Sequence, residues 1–595
     1  MFDHPLTQTW QLEMFPGGSD SAAFRSFLLD IEEKSARLKA LVSAETKPAD
    51  LDVWSERIAL TQWLKGALME ADSFIGCLEA QNQNDKEAQR LNGRLQTMNA
   101  EFTSILSQLD GWFLLMDDNE WDKLLLLEAA KGGRFWLQER RRLASEKLSP
   151  EMESLISALA VDGYHAWGNH YQTAVGRIQL NVTDEHGQLH TYSAGQAANQ
   201  FHHPDHEVRK EIFRLWEEAW EEQADICSAA INHLAGFRIR VYEQRGWHSV
   251  LQEPLAINRM SEQTLNTIWA VIHANKQPFV NYLHRKAELI GVEKLHWYDL
   301  EAPISPSVKR VEYDKAASLI VEQFARFNPD LSRFAKTVFE NRWVEAENRS
   351  AKRPGGFCTS FPLSGETRIF MTYGGTTSNV STLAHELGHA YHQHVMKDLP
   401  ILSQDYAMNV AETASTFAEL IVADAAVREA DNDQERIILL EEKIQSSVAY
   451  FMNIHARYLF ETSFYEERSH GLVSTERLKQ IMEEAQRQAY CDELASYHPY
   501  FWAAKLHFYL TDVPFYNFPY TFGYLFSAGI YARAIQEGPA FTDKYISLLR
   551  DTASMSVEEL AAKHLGVDLQ QPDFWQSAID MTIKDVEMFL QLTEK

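Results

Sequence analysis

The sequence predicts a mainly α-helical protein of more than one lobe, with two small β islands. Apolar residues recur three and four apart along most of the chain, the period of a helix with one buried face. Only residues 178–192 and 350–376 break that period with alternating, turn-bounded runs. A length of 595 residues exceeds what one hydrophobic core usually supports. Two lobes are therefore expected, 1–200 and 201–595.

The helical run begins after the turn-rich start Trp10 to Asp20, where Ser19 or Asp20 is placed to cap it. Phe24, Phe27, Leu28 and Ile31 share one face. The pattern resumes over 52–80 after a Lys-Pro-Ala-Asp break at 47–50, and again over 88–118. Residues 178–192 read as a hairpin around Asp184-Glu-His-Gly187. Helices return over 194–245, with Phe213, Trp216 and Trp220 as a core stripe, and over 262–290. Pro303 and Pro306 make 293–310 a loop, and a helix pair follows over 311–347. The second β island turns at Arg353-Pro-Gly-Gly356 and extends over 357–361. It turns again at 364–366 and extends over 368–373. Charged amphipathic helices fill 430–495, with Tyr450, Phe451, His455, Tyr458 and Phe460 on one side.

Composition excludes several function classes. A net charge of −28 repels nucleic-acid phosphates and anionic membranes, and no Lys/Arg cluster offsets it. Cys77, Cys227, Cys358 and Cys491 are far apart, against both a disulfide framework and a thiolate metal site. No run approaches 18 apolar residues, and the N-terminus lacks the pattern of a secretory leader. The expectation is a cytoplasmic protein.

The chemistry concentrates in His385-Glu-Leu-Gly-His389. On a helix, residues four apart share a face about 6 Å apart along the axis. Two imidazoles there can grip one metal ion, while Glu386 reaches a water beside it as general base. Among 22 histidines one such pair arises by chance, but a glutamate after the first cuts the coincidence to roughly a few in a hundred. Asn379 or Ser381 is placed to cap this helix, and Leu383, Leu387 and Ala390 form its buried side. One zinc-peptidase class takes a distal histidine behind a glycine as third ligand. Val395 and His392 occupy those positions, which excludes that class. His392 is expected beside the metal ligands or the substrate, and His394 in solvent.

The third ligand should then be a carboxylate on a later helix. Over 407–428, Glu412, Ser415, Thr416 and Glu419 form one polar stripe on an otherwise apolar helix. Glu412 is assigned as ligand, and Glu419, nearly two turns on, as the group that fixes an imidazole N–H. An amide-cleaving site also needs donors for a developing oxyanion. The tyrosine-rich stretch 496–526 offers His507, Tyr520 and Tyr524, the two tyrosines four apart. A strand pair just before the histidine helix could hold an extended peptide by its edge.

These motifs together resemble the oligoendopeptidase F branch of the thimet oligopeptidase family of zinc metallopeptidases. The likeness lies in His385 to His392, Ala411 to Glu419, Cys358 to Glu366 and Asn517 to Tyr524, with a similar start from Trp10 to Ser19. It implies a prolate, two-lobed, almost all-helical body around a deep substrate channel. Residues 201–595 would be the catalytic zinc-peptidase domain. It implies that His385, His389 and Glu412 bind one zinc ion and that Glu386 is the general base. It also implies that short peptides are cut while folded proteins are spared. Thimet-type relatives carry a glycine-rich loop after the histidine matched by His507. Leu510-Thr-Asp-Val-Pro514 lacks that glycine, so loop-dependent specificity does not carry over. The reading is a zinc endopeptidase for oligopeptides. A helical zinc carboxypeptidase shares the motif, and a non-catalytic peptide-binding scaffold would keep the helices without needing Glu386.

Overall fold

Local chemistry starts and stops the helices. Ser21 accepts the Phe24 N–H and opens a helix from Ala22 to Val42, so the cap lies one residue beyond the two expected. The computed structural model describes residues 2, 4–43, 50–183, 187–305 and 310–594. Residues 47–49 of the expected break, 184–186 of the expected hairpin turn and Pro306 lie outside these. Helices make up 72% of the chain, so it is mainly α. No helix among the described residues is long and apolar enough to cross a membrane.

Two compact units emerge, each gathered from three stretches, so a single cut near residue 200 does not describe them. One comprises Met1–Glu153, Lys309–Val422 and Arg533–Gly566; the other comprises Ser154–Val308, Ala423–Ala532 and Val567–Lys595. Elements used below are helices α1 (Leu51–Gln81), α2 (His206–Arg245), α3 (Thr377–Met396), α4 (Met408–Glu429), α5 (Ile454–His470) and α6 (Phe518–Glu537). The strands are β1 (Gln179–Thr183), β2 (Leu189–Ser193), β3 (Val344–Glu345), β4 (Phe357–Phe361) and β5 (Glu366–Phe370).

In the first unit, α1 is the central beam. Its Leu64, Ala67, Ala71, Phe74 and Leu78 are buried in one apolar cluster with Phe24, Leu28, Leu95, Phe361 and Phe370. The small sheet lies against this beam in the order β3-β5-β4. Strands β4 and β5 pair antiparallel, with Thr359 opposite Arg368. The Ser73 hydroxyl of α1 donates to the Ser360 carbonyl at 2.6 Å. Strand β3 was expected to be helical. It is two residues long, too short to show an alternation, and pairs parallel with β5. Ladder bonds continue past β5, from Met371 N to Glu345 O and from Tyr373 N to Ala346 O, both 2.9 Å.

In the second unit, β1 and β2 form the expected hairpin, Gln179 opposite Ser193. The 40-residue α2 buries Trp216 and Trp220, as the stripe predicts. Its Arg238, also buried, donates to the Tyr465 hydroxyl at 2.8 Å and to the Leu510 carbonyl. Tyr164 donates to Thr511 O at 2.9 Å. Stretch 506–517 is thus pinned from two helices just before α6 begins.

Candidate active site

The histidine helix α3 is opened by Thr376, not by either expected cap. Thr376 Oγ1 accepts the Asn379 N–H at 3.1 Å, and Asn379 Oδ1 reciprocates to Thr376 N at 3.4 Å. Ser381 falls inside the helix, which shifts its start one turn earlier. Leu383, Leu387 and Ala390 are fully buried, which orients the opposite face. On that face the rings of His385 and His389 lie 4.9 Å apart.

Helix α4 crosses α3 at Gly388. A methyl group there would press into the Ala414 carbonyl and come within 2.5 Å of the Ser415 Cα. Only hydrogen fits, and the close approach sets Glu412 against the imidazoles. Glu412 Oε2 is 3.2 Å from His385 Nε2 and 3.7 Å from His389 Nε2. Candidate ligand atoms of these three residues all lie within 4.8 Å of one another.

Surrounding groups fix each donor. His385 Nδ1 and Glu419 Oε2 are 3.1 Å apart, which turns Nε2 toward Glu412. The His389 imidazole hydrogen-bonds the Ala411 backbone. Ser415 donates to Glu412 Oε2 at 2.8 Å. Ser415 lay in the polar stripe without an assigned role, and its i, i+3 spacing from Glu412 was the signal.

The electrostatics suit a cation at this site, with positive charge on His385 held against Glu412 and Glu419. Burial works against charge on Glu412, yet the His385 hydrogen bond and both imidazoles hold its carboxyl down at about 2. Burial also disfavours a charged His385, but hydrogen bonds to Glu412 and Glu419 raise it well above normal. Burial and the neighbouring His385 push His389 down to about 4, leaving a neutral lone pair. Two imidazole nitrogens and one carboxylate oxygen are a zinc donor set, and tetrahedral bonds of about 2.0–2.1 Å place ligand atoms about 3.3 Å apart. The separations of 3.2 and 3.7 Å fit that ion.

Glu386 follows His385 directly and makes no hydrogen bond or ion pair to this triad. It is 6% exposed, and its Oε2 is buried with no partner. Burial, helped by Glu412 and Glu419, pushes its carboxyl up to about 7. Gly356, in the turn before β4, lies beside it, and a Cβ there would sit in ordinary contact, 3.5 Å from Glu386 Oε1.

Two expectations on α3 fail. His392 does not face the site: it is fully buried, 2.9 Å from Thr552 Oγ1 and stacked on Tyr406 at 4.3 Å. His394 is not free in solvent, because its ring packs on Phe334 at 4.4 Å.

The tyrosine stretch belongs to the second unit. His507 lies 6.2 Å from the Tyr520 ring and 5.3 Å from Tyr516, which sequence reasoning passed over. Burial, then Arg457 and Lys505, lowers His507 to about 4, so its imidazole is neutral, and its Nδ1 is buried without a partner. Tyr524 lies one helical turn past Tyr520. Its ring stacks on Tyr450 at 4.4 Å and its hydroxyl bonds Ser447 Oγ at 2.8 Å.

Comparison with known proteins gives the family and the fold. An oligoendopeptidase F homolog from Lactococcus lactis subsp. lactis (strain IL1403) is 26% identical over 357 residues, 59% of this chain and 58% of that one. The chain thus spans a little over half the length of that relative. Oligopeptidase PepF from Bacillus subtilis (strain 168) is 22% identical over 89% of this chain and 78% of its own. The crystal structure of oligoendopeptidase-F from Enterococcus faecium shares the fold, with a TM-score of 0.73 at 17% identity over 97% of this chain and 99% of that one. The oligopeptidase F family model matches residues 112–179. The model of peptidase family M3 matches residues 200–581, more than half of the chain, and so the chain belongs to peptidase family M3.

Proposed function

We propose that this chain is a zinc-dependent endopeptidase that cuts internal bonds of short oligopeptides. The observation that carries the reading is Glu386: a buried carboxyl with one oxygen unpartnered, on the turn between two metal-competent histidines. His385, His389 and Glu412 would hold one zinc ion per chain. Bound there, zinc supplies Lewis-acid chemistry, polarising a carbonyl and bringing the pKa of a water toward neutrality. Glu386 takes the proton of the attacking water and delivers it to the leaving amine. Its pocket favours the neutral form, which suits a group that must hold a proton between the two steps.

Oxyanion donors come from His507, Tyr520 and Tyr524, and such a donor is worth about 3–4 kcal/mol. The His507 and Tyr520 rings lie 6.2 Å apart, and the Tyr524 hydroxyl bonds Ser447. Strand β4 lies at an edge of its sheet, where an extended peptide can add by backbone hydrogen bonds whatever its sequence. Four cysteines without a disulfide suit work in the reducing cytoplasm.

A quenched octapeptide tests the reading. Glu386→Gln should lower kcat by roughly 100- to 10,000-fold while zinc stays near one per chain. A metal chelator should abolish the wild-type rate. Near-normal turnover by the zinc-loaded variant would sink the mechanism.

A further inference from the structure

Arg457 and Lys505 stand beside His507 and Tyr520 with no carboxylate partner. The chain holds 84 acidic and 56 basic residues, so a half-buried base left without an acid needs a reason. Arg457, on α5, donates from Nη1 to Asn517 Oδ1 at 3.1 Å. Its Nε is buried and meets no acceptor. The guanidinium sits over the Phe501 ring at 5.4 Å, and the Lys505 ammonium sits over the same ring at 5.1 Å. The acid nearest in influence is Glu301, whose exposed carboxylate pairs with His202 Nε2 at 3.5 Å. Two like charges thus share one aromatic ring, half-buried, with Glu301 acting on both but no acid in ion-pair contact with either among the described residues.

Such an arrangement is costly as it stands. A cation over an aromatic ring gains less than the cost of withdrawing an unpaired charge from water. The cost shows in both groups. Burial, then Arg457, lowers Lys505 to about 7, and burial lowers Arg457 to about 10. An anion between them would reverse both effects. A guanidinium edge with a free N–H suits a carboxylate, and a neighbouring ammonium adds a point charge.

We propose that Arg457 and Lys505 form a subsite for a carboxylate of the peptide substrate, supplied by its C-terminus or by an acidic side chain close to the cut. The inference rests on the peptidase reading, since His507 and Tyr520 are what would bring a scissile bond near it. It adds a substrate class to that reading: peptides that carry a carboxylate at their C-terminus or beside the bond cleaved.

The experiment compares three forms of one quenched peptide with the zinc-loaded full chain. One has a free C-terminal carboxylate, one a C-terminal amide, and one the amide plus an aspartate near the cut. The free acid, the aspartate form, or both should exceed the plain amide in kcat/KM by about 10- to 100-fold, the worth of a charged hydrogen bond. Which form gains tells the terminus from the side chain as the source. Lys505→Met should bring that ratio close to one, and Lys505→Arg should keep most of it. Equal kcat/KM for all three forms with the wild type, or an unchanged ratio in Lys505→Met, would overturn the subsite. Failure to cut any form would overturn the peptidase reading, and the subsite with it. Should the variants not fold, inhibition of the wild type by an acetyl-dipeptide acid and by its amide decides: the acid should bind about tenfold tighter or more, and equal inhibition constants refute the subsite.

Discussion

His385 is the residue on which the candidate site turns. Glu419 holds its Nδ1, and the Nε2 so directed lies 3.2 Å from Glu412. Outer partners of this kind typically tune metal affinity by roughly 10- to 100-fold. Glu419→Ala should therefore weaken zinc by about that factor, measured by chelator competition, while Glu412→Ala should abolish stoichiometric binding. Unchanged affinity in Glu419→Ala would mean that packing alone sets the ring. The placement of Glu412 and Glu419 beside the histidines was readable because both lie on one polar stripe of an apolar helix. His392 was not readable. Its partners, Leu549 and Thr552, lie more than 150 residues on, and a histidine one turn past a metal motif has no local mark of burial. The Thr376 cap was hidden for the opposite reason: Asn379 and Ser381 are both good caps nearby, and only the geometry of Gly374 to Asn379 decides among them.

At the level of elements, the crossing of α3 and α4 does the positioning. The value of Gly388 lies in the atoms it lacks, since α4 occupies the space a side chain would need. Gly388→Ala should force the helices apart, cost about 3 kcal/mol or more, and lower zinc content along with the thermal midpoint. A variant of wild-type stability with full zinc would show that the crossing tolerates a methyl group. A close approach at this glycine follows from the sequence, because a small residue beside a ligand on a buried helix face invites one. Strand β3 was not foreseeable: two residues carry no period, and its partner β5 lies more than twenty residues on. The β4–β5 pair was foreseeable because glycine and proline punctuate it on both sides, although Glu366, expected in the turn, is the first residue of β5.

Across the whole molecule, acids outnumber bases, yet several acids are buried. Glu461 in the second unit is 3% exposed. Burial raises its carboxyl from 4.5 to about 8, with Arg238 opposing. A folded-state value above the unfolded one means that folding takes up a proton between these limits. The stability held by the neutral acid is full below about pH 4.5 and is lost as pH rises through about 8. Glu461→Gln mimics the protonated form. It should gain roughly 2–4 kcal/mol over the wild type near pH 9 and little near pH 5, read from denaturant midpoints at both pH values. Equal pH slopes in the two proteins would place the dependence elsewhere. The helical class, the hairpin and the metal motif were legible from local periods. The three-part make-up of each unit was not, because it depends on pairings hundreds of residues apart, such as Trp10 N to Glu345 Oε2.

That interleaving has a biosynthetic consequence. By the time a ribosome has added Glu419, every proposed metal-binding residue exists. The helix bearing His385 and His389 still lacks the surface beneath it, because His392 closes onto Leu549 and Thr552. The first unit is finished only when the stretch Arg533–Gly566 has left the exit tunnel, more than a hundred residues after Glu419. A nascent chain stalled before that point carries the donors without the scaffold that spaces them. Metal loading would therefore wait on the stretch Arg533–Gly566, and a stop codon before it would leave the donor set without its support.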